Sequence, residues 1–249
     1  MNQVWLYSLV SVFIVSFVSL VGIIALGIKI ERLRKILIYL ISFSAGALFG
    51  DAFIHLLPEI IENGGFGVLS AIYVLSGILM FFILEKVIHW RHCHMPITKT
   101  HVHPFAYMNL LGDSLHNFID GLIIAGSYLA SIPAGIATTF AVILHEIPQE
   151  IGDFGVLIHG GFTKGKAILL NFFTALTAIL GTIVALMLNN YIPNIQQILV
   201  PIAIGGFLYI AGSDLIPELH KENKIWVSIG QIIAFIFGII IMLALLLLE

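Results

Sequence analysis

Asp113-Ser-Leu-His116-Asn117-Phe-Ile-Asp120-Gly121 and His145-Glu146-Ile-Pro148-Gln149-Glu150-Ile-Gly152-Asp153 place acids and imidazoles inside apolar runs long enough to cross a bilayer. A charged residue at the centre of a membrane helix costs roughly 2.5–3.5 kcal/mol, so three unpaired acids in one segment cost about 8–10 kcal/mol. A chain keeps such residues in lipid only when something compensates them. A bound cation is the natural compensator.

Working outward, the composition agrees with a lipid environment. Of 249 residues, 59% are hydrophobic and 10% charged, with a mean hydropathy of +1.07. Soluble domains carry about 25% charge, so the chain falls in the membrane class. The 11 Lys and Arg are scattered over short loops and form no basic face, which excludes a nucleic-acid role. The single cysteine, Cys93, cannot form an internal disulfide.

Apolar runs lie at about 4–28, 36–61, 66–88, 105–129, 133–160, 165–188, 195–219 and 225–248, each meeting the ~20 residues that ~30 Å of hydrocarbon requires. The first is no cleavable signal, because its basic residues follow it rather than precede it. Lys29, Arg32, Arg34 and Lys35 fall in the first connection, and Lys86, Arg91 and Lys99 in the third. Lys164 and Lys166 fall in the fifth, and Lys221 and Lys224 in the seventh. The even connections and both ends hold no basic residue. The positive-inside rule then predicts an all-α membrane protein of eight transmembrane helices, with odd connections in the cytoplasm and both termini outside. It reads as a single polytopic domain, 1–249, multi-pass in the cell (plasma or inner) membrane, with the bilayer as its constant partner.

Asp51, His55 and Glu59 are spaced i, i+4, i+8 in the second run and predict one polar stripe. That stripe ends in Leu56-Leu57-Pro58-Glu59; the seventh run, oppositely directed, ends in Asp214-Leu215-Ile216-Pro217-Glu218. Similar sequence on opposed helices signals an inverted repeat, an architecture of secondary transporters. Capping near the membrane surface is the alternative role for Asp51 and Asp214. The loop at 89–104 holds His89, His92, Cys93, His94, His101 and His103. Two readings stay open there: loose metal binding for sensing or buffering, and a solvated loop that binds nothing specific. In the sixth run, Asn171, Thr174, Thr177, Thr182, Gly181, Ala175 and Ala178 suit close helix packing.

On the fourth run His116 and Asp120 share a face, with Asp113 one turn before; on the fifth, His145 and Gln149 share one face while Glu146, Glu150 and Asp153 line the adjacent one. Pro148 removes a backbone donor and predicts a kink that frees the carbonyl of Leu144. Such a carbonyl at membrane depth can line a cavity or coordinate an ion. Gly121 and Gly152 predict close helix approach nearby. If the two faces meet, they offer imidazole, carboxylate and amide. A second position beside the first would use Asn117, Glu146 and a shared Asp120. This donor set suits zinc, iron(II) or manganese. It suits magnesium and calcium poorly, since they prefer oxygen alone.

His116-Asn117-Phe-Ile-Asp120-Gly121 and His145-Glu146-Ile-Pro148-Gln149-Glu150-Ile-Gly152-Asp153 resemble the paired signatures of the ZIP (Zrt/Irt-like) divalent-metal transporters. The similarity is to the branch whose fifth helix reads His-Glu-x-Pro-His-Glu-x-Gly-Asp. Leu56-Leu57-Pro58-Glu59 and the eight-run layout are similar too. The resemblance implies a metal centre on the fourth and fifth helices at mid-membrane, with ions moving into the cytoplasm. It also implies that the first, fourth, fifth and sixth helices slide against the others, often in a homodimer. Carried over, His116, Asp120, His145 and Gln149 form the primary site, and Asn117 and Glu146 the neighbouring one. The expected cargo is zinc, with iron, manganese or cadmium as further candidates. Two departures bear on this: Gln149 stands where the branch has histidine, and Asn171 where some relatives carry a sixth-helix glutamate.

Two other functions compete. A membrane zinc metalloenzyme would read His145-Glu146 as the start of a zincin motif, but the second histidine that motif needs is replaced by Gln149. An ion-coupled carrier of an organic solute would use the acids as proton relays. Paired imidazoles fit that role less well.

Overall fold

The structure, a computed structural model, describes residues 2–23, 30–62, 65–89, 104–221 and 224–248. Among these every regular element is helical. In chain order they are α1 (Asn2–Val18), α2 (Ile30–Gly50, continued by Asp51–Leu56 and Leu57–Glu62), α3 (Val68–His89), α4 (Pro104–Ala130) and α5 (Ile132–His159). There follow α6 (Lys164–Ala175 with Thr177–Leu188), α7 (Gln196–Tyr209, Ile210–Leu215 and Ile216–Leu219) and α8 (Ile225–Leu245). Of the loop residues singled out above, His92, Cys93, His94, His101 and His103 lie outside the described residues, and the backbone of His89 closes α3.

Among the described residues six helical stretches are long and apolar enough to cross a membrane: Gln3–Ile23, Lys35–Glu62, Val68–Lys86, Lys164–Leu188, Gln196–Leu219 and Ile225–Leu245. α4 and α5 have the length, at 27 and 28 residues, but carry the acids and imidazoles that lower their apolarity. Those two helices also bury most of their acids and imidazoles. Asp113, His116, Asn117, Asp120, His145, Glu146 and Glu150 are all inside the bundle. The polar cost is moved from lipid to protein.

Glycine sets the tightest contacts. A methyl at Gly121 of α4 would collide with the carbonyl of Ala178 on α6, and one at Gly181 of α6 with the carbonyl of Phe118 on α4. The same reciprocal arrangement joins α2 to α8 through Gly46 and Gly238, and α3 to α7 through Gly77 and Gly205. Backbones can approach this closely only where no Cβ intervenes, and in lipid such packing holds helices together. Thr182 adds a 3.0 Å hydrogen bond to the carbonyl of Gly121, and Thr177 one of 2.7 Å to that of Ser114. The threonines of α6 thus bind it to α4. Gly152 does not share this role. A Cβ there would meet nothing within 4 Å, so the expected second close approach is absent at that position.

α2 and α7 handle proline alike. Each carries a π-turn, Asp51–Leu56 and Ile210–Leu215, just before Pro58 and Pro217. The residue before each proline donates five residues back, Leu57 to Ala52 and Ile216 to Ala211. The wider turn accommodates a site where proline cannot donate. It also splits the expected polar stripe. Asp51 accepts from Thr138 of α5 at 2.9 Å, whereas His55 Nε2 lies 2.8 Å from the carbonyl of Met242 on α8. A stripe at i, i+4 presumes 3.6 residues per turn, and the π-turn removes that register.

Candidate metal centre

α4 packs along α5. One turn separates His116 from Asp120, so both side chains leave α4 on the face that meets α5. There they converge with His145 and Glu146 in a fully buried cluster. His116 Nε2 lies 3.3 Å from His145 Nε2, 3.3 Å from Glu146 Oε1 and 3.5 Å from Asp120 Oδ2. His145 Nε2 lies 3.3 Å from Asp120 Oδ2 and 3.5 Å from Glu146 Oε1. Ligands at 2.0–2.1 Å from a tetrahedral zinc ion stand roughly 3.3–3.4 Å apart along the edges. Five of the six separations here, at 3.3–3.5 Å, match those edges, and the sixth stays within 4.8 Å. The spacing is that of a ligand shell.

Hydrogen bonding points the same way. Neither oxygen of Asp120 nor Oε1 of Glu146 has a hydrogen-bond partner, though all three are buried. An unsatisfied buried carboxylate is costly, and a cation at the cluster centre would satisfy these oxygens together. The Nδ1 of His145 lies 3.1 Å from the carbonyl of Ala141. Donation there selects the tautomer whose Nε2 lone pair faces the cluster. Phe81 of α3 meets His116 edge-on at 5.5 Å, and Phe207 of α7 meets His145 at 6.3 Å. These apolar walls limit the water that can compete for an ion.

Pro148 sits inside α5, which continues unbroken from Ile132 to His159. The carbonyl of Leu144 that Pro148 leaves without its helical donor accepts instead from the Ser44 hydroxyl of α2. The freed carbonyl is therefore closed off by a neighbour, in place of the ion-coordinating role its position suggested.

The remaining expected residues separate into groups. Gln149, Asp113 and Asp153 line a cavity of about 510 Å³ that runs from His116 to Glu85, Asp214 and Glu218. Glu218 pairs with Lys221 there. Gln149 thus stands on the wall beside the cluster, and Glu146, expected in a neighbouring position, completes the cluster itself. Asn117 donates to Asp113 Oδ1 at 2.8 Å and leaves its own oxygen unpartnered. Asn109 donates to Asp153 at 3.0 Å, and Asn171 to the carbonyl of Glu150 at 3.2 Å. Glu59 lines a different cavity, with Tyr73 and Gln197. Sequence reading missed Ser44 and Thr138. Thr138 was within reach, because it lies two turns before His145 on the same face of α5.

A family model described as "ZIP Zinc transporter" matches residues 2–105 and 96–246. The Drosophila melanogaster protein "Zinc transporter ZIP13 homolog" is 32% identical over 280 residues, which cover 87% of this chain and 79% of that one. "Zinc transporter ZIP13" of Mus musculus is 32% identical over 257 residues, covering 86% and 70%. The Danio rerio protein of the same name is 31% identical over 301 residues, covering 91% and 85%. With its buried imidazole–carboxylate cluster on two adjacent helices, the chain belongs to the ZIP zinc transporter family.

Proposed function

We propose that the protein carries divalent transition-metal ions across a membrane, zinc first, through the cluster of His116, Asp120, His145 and Glu146. The observation that carries this reading is the near-tetrahedral spacing of four buried donor atoms whose carboxylate oxygens have no other partner. Two imidazoles and two carboxylates suit zinc, iron(II), manganese or cadmium, and selectivity among them follows geometry and availability. Family membership sets aside the metalloenzyme reading, since the relatives are named as transporters.

In this reading eight helices span the bilayer, both termini lie outside, and the ion leaves toward the cytoplasm. The cavity supports that direction. It touches the cluster at His116 and opens among Glu85, Asp214 and Glu218, at the ends of α3 and α7 that adjoin the basic connections. Asp113, Gln149 and Asp153 line the way out. Asp51 and Glu59 belong to the opposite, outer half. The matched π-turns of α2 and α7 support an inverted repeat.

The glycine contacts support two bodies that move against each other. Reciprocal backbone contacts occur within α4–α6, α2–α8 and α3–α7. Where α4 meets α7, the atoms nearest to a Cβ placed at Gly126 belong to the side chain of Leu199. Side chains can re-pack during sliding more readily than interlocked backbones can. In the same reading the protein works as a homodimer in a plasma or inner membrane.

Purified protein in liposomes tests the reading. Zinc should accumulate in wild-type vesicles, and H116A and H145A should each abolish uptake. Equal uptake by wild type and both variants would refute the cluster as the transport site.

A further inference from the structure

Along α2, residues 32, 35, 36, 39, 40 and 43 fall on one face of the helix. The first two are cations, Arg32 and Lys35; the others are Ile36, Tyr39, Leu40 and Phe43. Between this face and α8 lies a groove of about 500 Å³ whose walls include Phe237. No acid lines it. Gly230 of α8 makes room for it, since a Cβ there would crowd the Tyr39 ring at 2.7 Å. Ile36, Tyr39 and Phe237 keep 41%, 37% and 53% of their surface exposed, so none of the described residues fills the groove.

Length and charge identify what fits. From Arg32 to Phe43 the helix rises roughly 16 Å, which is close to half of the ~30 Å hydrocarbon thickness. Arg32 and Lys35 stand where the apolar span of α2 begins, at Lys35. On the topology proposed above, on which this inference rests, that edge is the cytoplasmic headgroup level, where anionic lipids concentrate. A guanidinium and an ammonium side by side match a lipid phosphate with a net negative headgroup. The apolar floor below them matches one acyl chain reaching to the midplane.

We infer that the α2–α8 groove is a binding site for one anionic phospholipid of the cytoplasmic leaflet. Its headgroup is held by Arg32 and Lys35, and an acyl chain lies over Tyr39 and Phe43. A lipid seated there would buttress the reciprocal contact of Gly46 and Gly238, which lies farther along the same helix pair.

Native mass spectrometry of the full chain, released from vesicles of equal phosphatidylglycerol and phosphatidylcholine, tests this. Wild type is expected to retain phosphatidylglycerol about 30-fold over phosphatidylcholine, as two basic residues at an anionic surface warrant. R32Q/K35Q should lose the preference with an unchanged circular-dichroism spectrum. A234W, which fills the groove and keeps both cations, should lower retention of either lipid. Equal retention of the two lipids by wild type would overturn the site. So would an undiminished preference in R32Q/K35Q, or displacement of the lipid by inorganic phosphate alone. Cross-linking of F237C to a second copy in the same vesicles would put a protomer, not a lipid, in the groove. Zinc uptake by these vesicles, with H116A as control, reports separately on the transport reading.

Discussion

Asp120 and Asp51 are both completely buried acids in helices read as membrane-spanning, yet their neighbours differ in kind. Asp120 faces two imidazoles and a second carboxylate, and neither of its oxygens has a hydrogen bond. Asp51 accepts from Thr138, whose hydroxyl also lies 3.1 Å from that of Ser127. The first arrangement leaves lone pairs converging on a point. The second satisfies one oxygen with a hydroxyl and holds three helices in register. Burial and residue type are the same in both, so these alone do not mark an ion site. Convergence of unsatisfied donors at ligand-edge spacing does.

Among substitutions, those at the imidazoles should cost the most. H145A removes one of the four ligand donors and leaves His116, Asp120 and Glu146 to hold the ion. Zinc uptake should fall by at least about 100-fold, more than the 10–100-fold loss typical of a residue that only supports a ligand. The paired test is D120N against D51N. The first should abolish stoichiometric zinc binding measured by elemental analysis, while the second should leave it intact and slow uptake by only a few-fold. Equal loss in the two would erase the distinction drawn here.

Q149H should act on a smaller scale. Gln149 lies on the cavity wall beside His116, so an imidazole there should tighten zinc binding by about tenfold in competition titrations. T138V should leave zinc affinity unchanged and lower the thermal midpoint. It strips Asp51 of its donor, a loss of about 1–3 kcal/mol for a buried acceptor.

Much of the centre was legible in the sequence. The i, i+4 spacing of His116 and Asp120, and two motifs of unusual polarity in apolar runs, pointed to the helices and to most of the cluster. Choosing between Gln149 and Glu146 was harder. Both are plausible from a helical wheel, and the choice depends on how α5 is rotated against α4, which no local pattern encodes. The split of Asp51 from His55 was hidden for a related reason. A π-turn changes the residue-per-turn count, and only Pro58 downstream hinted at it. Gly121 and Gly152 look equivalent in sequence, yet only one meets a neighbouring backbone. The fate of the Leu144 carbonyl required Ser44, a residue far away in the chain.

The most direct test of the central claim is zinc X-ray absorption on the full chain loaded with one equivalent of metal, beside H116A/H145A. A four-coordinate shell of two imidazole nitrogens and two carboxylate oxygens at about 2.0–2.1 Å is expected, absent from the double variant. An identical spectrum from both proteins, or a shell without imidazole in the wild type, would contradict it.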